Sequence, residues 1–215
     1  LIRQTWLCKR KDRKIAARII LQQEPRTCRF EVSEGSNINF DPEDATFNQG
    51  AAICPFCKQT VTGAYLRGTA SAQGFGQLGI AVATQRNGSR TYRSFSARDV
   101  KGFRAAQAQL QTLEADGWIP DEMIPLTELR RLSTPLYGLD SFRRLFNDRQ
   151  LATLATMIKA VRSAAAEIAR IDDPAYAAAV LTVLAMAADR LADRNSSLCR
   201  WIPQTQAIGY TFSRQ

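Results

Sequence analysis

Gly50-Ala51-Ala52-Ile53-Cys54-Pro55-Phe56-Cys57-Lys58-Gln59-Thr60-Val61 reads as a strand, a cysteine turn and a second strand. A Cys-x-x-Cys turn sets two thiolates about one metal diameter apart, and four such thiolates close a tetrahedral structural zinc site. Cys54 and Cys57 are therefore candidate zinc ligands, the alternative being a pair of free thiols. No second Cys-x-x-Cys occurs in the 215 residues, so the remaining ligands would come from Cys8 and Cys28 or from outside this stretch. Cys8 and Cys28 fall on strand-like segments and Cys199 lies between Leu198 and Arg200. Cysteines in such places more often pack as small apolar residues than bind metal.

Working outward, the first half of the chain carries a β pattern. Ile2 to Cys8 alternates imperfectly and enters a basic turn, Lys9-Arg10-Lys11-Asp12-Arg13-Lys14. Ile15 to Leu21 and Thr27 to Ser33 follow as strands, the latter with Cys28, Phe30 and Val32 at period two. Glu34 to Gly50 is a polar loop, and Thr69 to Gly76 has neither helical nor strand periodicity. Asn87-Gly88 between Leu78–Gln85 and Arg90–Phe95 is a strong two-residue hairpin signal.

Helical spacing takes over after Ser96. Val100, Phe103, Leu110 and Leu113 form a stripe that Gly117 ends, and the Pro120 and Pro125 region is a connector. Asn147-Asp148-Arg149-Gln150 carries capping logic ahead of Leu151, Leu154, Ile158, Val161, Ala165 and Ile168. Asp173-Pro174 opens a second long helix, expected to bury Tyr176, Val180, Val183, Leu184 and Leu191. The predicted fold is α+β: a β-rich, zinc-ribbon-like antiparallel region over 1–95, then a helical region over 96–215 built on an antiparallel helix pair.

A net charge of +9 with 29 Lys and Arg favours a polyanionic partner, and nucleic acid leads that class. The absence of histidine excludes Ser-His-Asp and Cys-His catalysis and every Cys/His zinc variant. No phosphate-binding glycine loop or nucleophile elbow is present, and Asp189 and Asp193 are spaced for ion pairs with Arg190 and Arg194. Five cysteines, an odd number, and the lack of a signal sequence point to a reducing, cytoplasmic setting. The longest apolar helix, Ala175 to Ala188, reads as a core helix, so no membrane partner is expected. With Leu1 as its first residue, the chain is expected to be a segment of something longer.

Two basic groups are candidates for phosphate contact: Lys9, Arg10, Lys11, Arg13 and Lys14 on the first turn, and Arg130, Arg131, Arg143, Arg144 and Arg149 near Tyr137 and Phe142. Lysine and arginine at such places give affinity for a sugar-phosphate backbone without reading sequence. The plainer alternatives are a solvated turn for the first group, and helix-end charges with local ion pairs for the second.

Several stretches together resemble a known family. Trp6 to Lys11, Ala51 to Cys57, Tyr137-Gly138, Phe146 to Leu151, Asp189 to Trp201 and Thr211 to Gln215 are similar, in the same order, to segments of bacterial and archaeal adenine-specific DNA methylases that contain a zinc ribbon. The run Asp189-Arg190-Leu191-Ala192-Asp193-Arg194-Asn195-Ser196-Ser197-Leu198-Cys199-Arg200-Trp201 is the most specific element. The resemblance implies a parent that transfers methyl groups from S-adenosylmethionine to adenine in DNA. Its cofactor-binding motif would lie upstream and its Asp-Pro-Pro-Tyr motif downstream. Neither motif is in this chain, so the resemblance assigns it no catalytic and no S-adenosylmethionine-binding residue. It also implies an upstream cysteine pair that completes the zinc site of Cys54 and Cys57, and contacts with the rest of the methyltransferase chain. A non-enzymatic zinc-ribbon module for protein–protein contact is the alternative.

Overall fold

The computed structural model describes residues 1–44, 46–48, 50–128 and 133–212. The fold is mixed α+β, with small antiparallel sheets and four α-helices among the described residues. The chain forms two compact units. One comprises Leu1–Ala97, Glu128–Leu139 and Trp201–Ala207, the other Arg98–Thr127, Asp140–Arg200 and Ile208–Gln215.

The first unit is built on a three-stranded sheet in the order β1 (Trp6–Lys9), β2 (Lys14–Gln22), β3 (Thr27–Glu34). β2 is the central strand, and Ile15, Ala16 and Ala17 are buried on both of its faces. Its register with β3 runs from Ile15 opposite Glu34 to Gln22 opposite Thr27, which sets Ile19 against the buried Phe30. Cys8 pairs with Ile15 and is fully buried, its thiol donating to the Arg13 carbonyl at 3.3 Å. A second small sheet joins β4 (Phe47–Asn48), β5 (Ala51–Ile53) and β6 (Thr60–Val61), so the cysteine turn lies between paired strands as its sequence predicts.

After β6 the chain departs from expectation. Thr69 to Gly76 shows no helical periodicity in sequence, yet helix α1 covers Gly63–Gln73. Its apolar periodicity is weak because only Ala70 is buried, so sequence spacing carried little signal. Local chemistry starts the helix instead: Thr62 caps it by accepting from Tyr65 N at 3.3 Å. Gly63 is required there, since a Cβ would stand 2.9 Å from the Gly50 carbonyl oxygen. α1 packs on the short helical turn Thr134–Tyr137, which ends at Gly138 with φ 77°. The hairpin of β7 (Ala81–Arg86) and β8 (Ser89–Ser94) turns at Asn87 and Gly88, with φ values of 49° and 74°. Both residues are left-handed, as a type I′ turn demands. β9 (Trp201–Ile202) also belongs to this unit.

In the second unit α2 (Ala97–Ala115), from Arg98 onward, and α3 (Asp148–Ile168) enclose the core. Leu110, Leu113, Leu151, Ala152 and Ala155 are its buried members, flanked by Ala106, Trp118, Ile119 and Phe146. The Asn147 side chain accepts from Gln150 N at 2.9 Å, and the Gln150 side chain accepts from Asn147 N at 2.9 Å, a reciprocal capping box. α4 (Pro174–Arg194) is capped by Asp173 and packs antiparallel to α3.

The expected burial on α4 is only partly realised. Val180, Leu184 and Leu191 are half-buried, but Tyr176 and Val183 are 59% and 64% exposed, as is Met186 at 64%. An apolar spacing shows that a helix has an apolar face; it does not show that anything covers it. α4 is also long and apolar enough, by length and composition, to cross a bilayer. Its alanines raise mean hydropathy without large side chains, and Ala177 is its one buried residue, so the reading of Ala175 to Ala188 as a core helix does not hold.

Candidate nucleic-acid interface

The turn between β1 and β2 closes with Arg10 N donating to Arg13 O at 3.0 Å, which presents five cations within six residues. Two of them have acidic partners. Lys9 pairs with Glu43 and lies 5.6 Å from the Trp6 ring, while Arg13 Nε donates to Glu34 at 2.7 Å. A hydrogen bond and the charge of Lys9 hold the Glu43 carboxyl below its usual range. An exposed pair of this kind contributes little, so Lys9 can exchange its carboxylate for a phosphate at little cost. Arg10, Lys11 and Lys14 are exposed and have no carboxylate partner among the described residues.

Arg13 ties this turn to the β7–β8 hairpin, its Nη1 donating to the Arg90 carbonyl at 2.7 Å. The Arg90 guanidinium sits 5.9 Å over the Trp201 ring, and Tyr92 meets the same ring edge-on at 6.2 Å and 81°. Trp201 is fixed by its indole N–H to the Leu7 carbonyl at 2.7 Å, and Tyr92 by its hydroxyl to Gln206 at 2.8 Å. Burial pushes the Tyr92 phenol up, with nearby Arg90, Arg13 and Arg10 opposing it. The first unit thus gathers Arg10, Arg13, Arg90, Tyr92 and Trp201 around one turn. Sequence reasoning found the turn and missed the other three. Period-two spacing placed Arg90 and Tyr92 on one face of a strand; nothing local could bring Trp201, far along the chain, to them.

The second basic group is differently placed. Arg143 donates to Glu114 at 2.6 Å and Arg144 lies 3.1 Å from Asp140, so both have acidic partners within the second unit. Arg143, by hydrogen bond and charge, holds the Glu114 carboxyl low. Arg149 is exposed in the first turn of α3. Arg130 and Arg131 lie outside the described residues.

At the cysteine turn, Cys54 N donates to Gln59 O and Lys58 N to Cys54 O, both at 2.9 Å. Lys58 takes φ 61°, a left-handed conformation that costs a non-glycine residue ~1–2 kcal/mol. The N–H of Cys57, then that of Phe56, then the Cys57 thiol donate toward the Cys54 sulfur and lower its pKa. That arrangement favours a thiolate, the form a metal takes. Cys57 is exposed, with Sγ 3.8 Å from Gln59 Oε1. Among the described residues no group of three or more Cys, Asp or Glu is arranged to hold a metal, so the residues present supply two ligands of the four a structural zinc needs. Cys8 is engaged with Arg13 in the β1–β2 turn, and Cys199 sits in a polar knot with Ser196 and Thr211.

No protein-family model, curated protein or solved structure matches this chain at a significant level.

Proposed function

We propose that this chain is a DNA-gripping segment of an S-adenosylmethionine-dependent DNA adenine methyltransferase, with no catalytic residues of its own. The observation that carries the DNA contact is the convergence of Arg10, Arg13, Arg90, Tyr92 and Trp201 on one turn of the first unit. Mobile lysine and arginine side chains neutralise phosphates and displace condensed counterions, which supplies affinity without base readout. Arg10, Lys11 and Lys14 would make the primary contacts, with Lys9 recruited from its ion pair. The methyltransferase assignment rests on the sequence resemblance, chiefly on the Asp189 to Trp201 run. In that reading the methyl group is delivered to an adenine extruded from the helix by parts of the enzyme that flank this segment. Cys54 and Cys57 would be half of a zinc ribbon whose other thiolates lie elsewhere in the parent. The pre-aimed N–H groups at Cys54 support that role.

Fluorescence anisotropy with a labelled 20-base-pair duplex tests the DNA contact. Binding at low salt that weakens steeply with added salt supports it. Absence of binding at 20 mM salt contradicts it and favours a protein–protein module.

A further inference from the structure

We propose that Arg190 and Arg194, both bonded to Tyr210 in the second unit, form a phosphate-binding site to which Arg200, lying over the neighbouring Gly209, adds charge. None of these residues belongs to the DNA-contact groups above, and the site does not depend on the methyltransferase reading.

The geometry begins with α4. Arg190 and Arg194 are one helical turn apart and share a face. Both guanidinium carbons stand 4.6 Å from the centroid of the Tyr210 ring. Both also donate to the same phenol oxygen, Arg190 Nη2 at 2.9 Å and Arg194 Nη2 at 2.7 Å. A phenol oxygen that accepts twice keeps its own O–H free to donate. Tyr210 therefore spaces two guanidinium forks and adds a hydroxyl donor beside them.

Arg200 reaches the same segment by another route. Gly209 N donates to Arg200 O at 2.8 Å, and the Arg200 side chain lies over Gly209. A Cβ at Gly209 would stand 3.2 Å from Arg200 Cγ, so glycine here lets the arginine lie close to the backbone next to Tyr210.

The charge balance favours an anion. The carboxylate at the cluster is Asp193, and its Oδ1 is committed to Thr211 N at 3.1 Å and Phe212 N at 3.0 Å. Its Oδ2 is 3.5 Å from Arg190 Nη1, a partial pairing. Arg194 and Arg200 are exposed, with no carboxylate partner among the described residues. Arg190 and Arg194 against Asp193 leave an excess of one positive charge at Tyr210, and Arg200 over Gly209 adds a second nearby. The helix dipole accounts for a cation at the end of α4, at Arg194, but not for the meeting of Arg190 and Arg194 on one phenol. Planar forks that present several N–H donors match the oxygens of a phosphate better than a single point charge would.

The 15N-labelled full chain, followed through its arginine Nε–H resonances, tests the site. Inorganic phosphate and, separately, a short oligothymidylate lacking terminal phosphates are titrated against sodium chloride at matched ionic strength. Saturable shifts at Arg190 and Arg194 with inorganic phosphate identify a free phosphate or phosphomonoester ligand. Saturation with the oligothymidylate identifies a nucleic-acid backbone. Arg194→Gln and Arg200→Gln should each weaken either titration about tenfold or more. Arg200→Lys, which keeps the charge, should weaken it less, and the far-UV circular dichroism of each variant confirms that α4 persists. Identical shifts with chloride alone, or saturation unchanged in a folded Arg194→Gln variant, overturn the proposal. Failure of the chain to bind duplex DNA through the β1–β2 turn would leave the inorganic phosphate arm untouched.

Discussion

Leu151→Ala and Val183→Ala should behave oppositely, although sequence spacing assigns both residues to buried helix faces. Leu151 is 6% exposed and packs in the cluster with Leu110, Leu113, Ala152 and Ala155. Two of those neighbours are alanines, too short to move into a void, so the space left by Leu151→Ala should stay largely open. Leucine-to-alanine changes in such sites cost ~2.7–5 kcal/mol, rising with the cavity that remains. We expect a loss of about 3–4 kcal/mol, a large share of a typical total of ~5–15 kcal/mol. Val183 is 64% exposed, so its truncation removes little buried surface. Alanine also outranks valine as a helix former, so Val183→Ala should change stability by less than ~0.5 kcal/mol, in the stabilising direction. Urea titration followed by circular dichroism at 222 nm measures both. A cost of 2 kcal/mol or more for Val183→Ala would refute the exposed α4 face. A cost under 1 kcal/mol for Leu151→Ala would refute the assigned core.

Removing the α3 cap by Asn147→Ala should cost ~1 kcal/mol in the same titration, and a neutral result would mean that the reciprocal bonds with Gln150 add nothing. Because its sulfur receives N–H donors, Cys54 should be alkylated by iodoacetamide with a midpoint below the ordinary thiol value of ~8.5, while buried Cys8 stays unmodified in the native chain; site-resolved mass spectrometry that finds Cys54 ordinary would refute the donor geometry. Hydrogen bonds from Arg190 and Arg194 lower the Tyr210 phenol below its ordinary ~10, and burial raises Tyr92, so absorbance at 295 nm should show an early step that Tyr210→Phe abolishes. The lowered phenol contributes stability that is full above the unfolded pKa and disappears as pH falls through the lower folded value.

How much of this was visible beforehand varied with the range of the interaction. The three-stranded sheet, the Asn87-Gly88 hairpin and the capped starts of α3 and α4 rest on local chemistry, and each was legible. α1 was not, because two glycines, Thr69 and Ser71 mask its periodicity and it is started by the Thr62 cap and room at Gly63. The α4 face was over-read, since its spacing says nothing about a cover. At the candidate interface the charged turn could be read directly. Its aromatic partners could not: Trp201 joins Leu7 and Arg90 only through tertiary folding. The cluster around Tyr210 was half-visible as the i, i+4 arginines of α4, but the sequence paired them with Asp189 and Asp193. The structure pairs Arg190 with Asp193 and turns both arginines onto the Tyr210 hydroxyl.

The most direct test of the proposed DNA contact is the salt dependence of duplex binding by the chain and by its Arg10→Ala/Lys11→Ala/Lys14→Ala variant. Each phosphate contact contributes about 0.9 to the slope of log K against log salt. Loss of three contacts should therefore flatten the slope by about 2.7, with a weaker affinity that does not depend on duplex sequence. An unchanged slope and affinity in a folded variant would contradict the assignment of DNA to this turn.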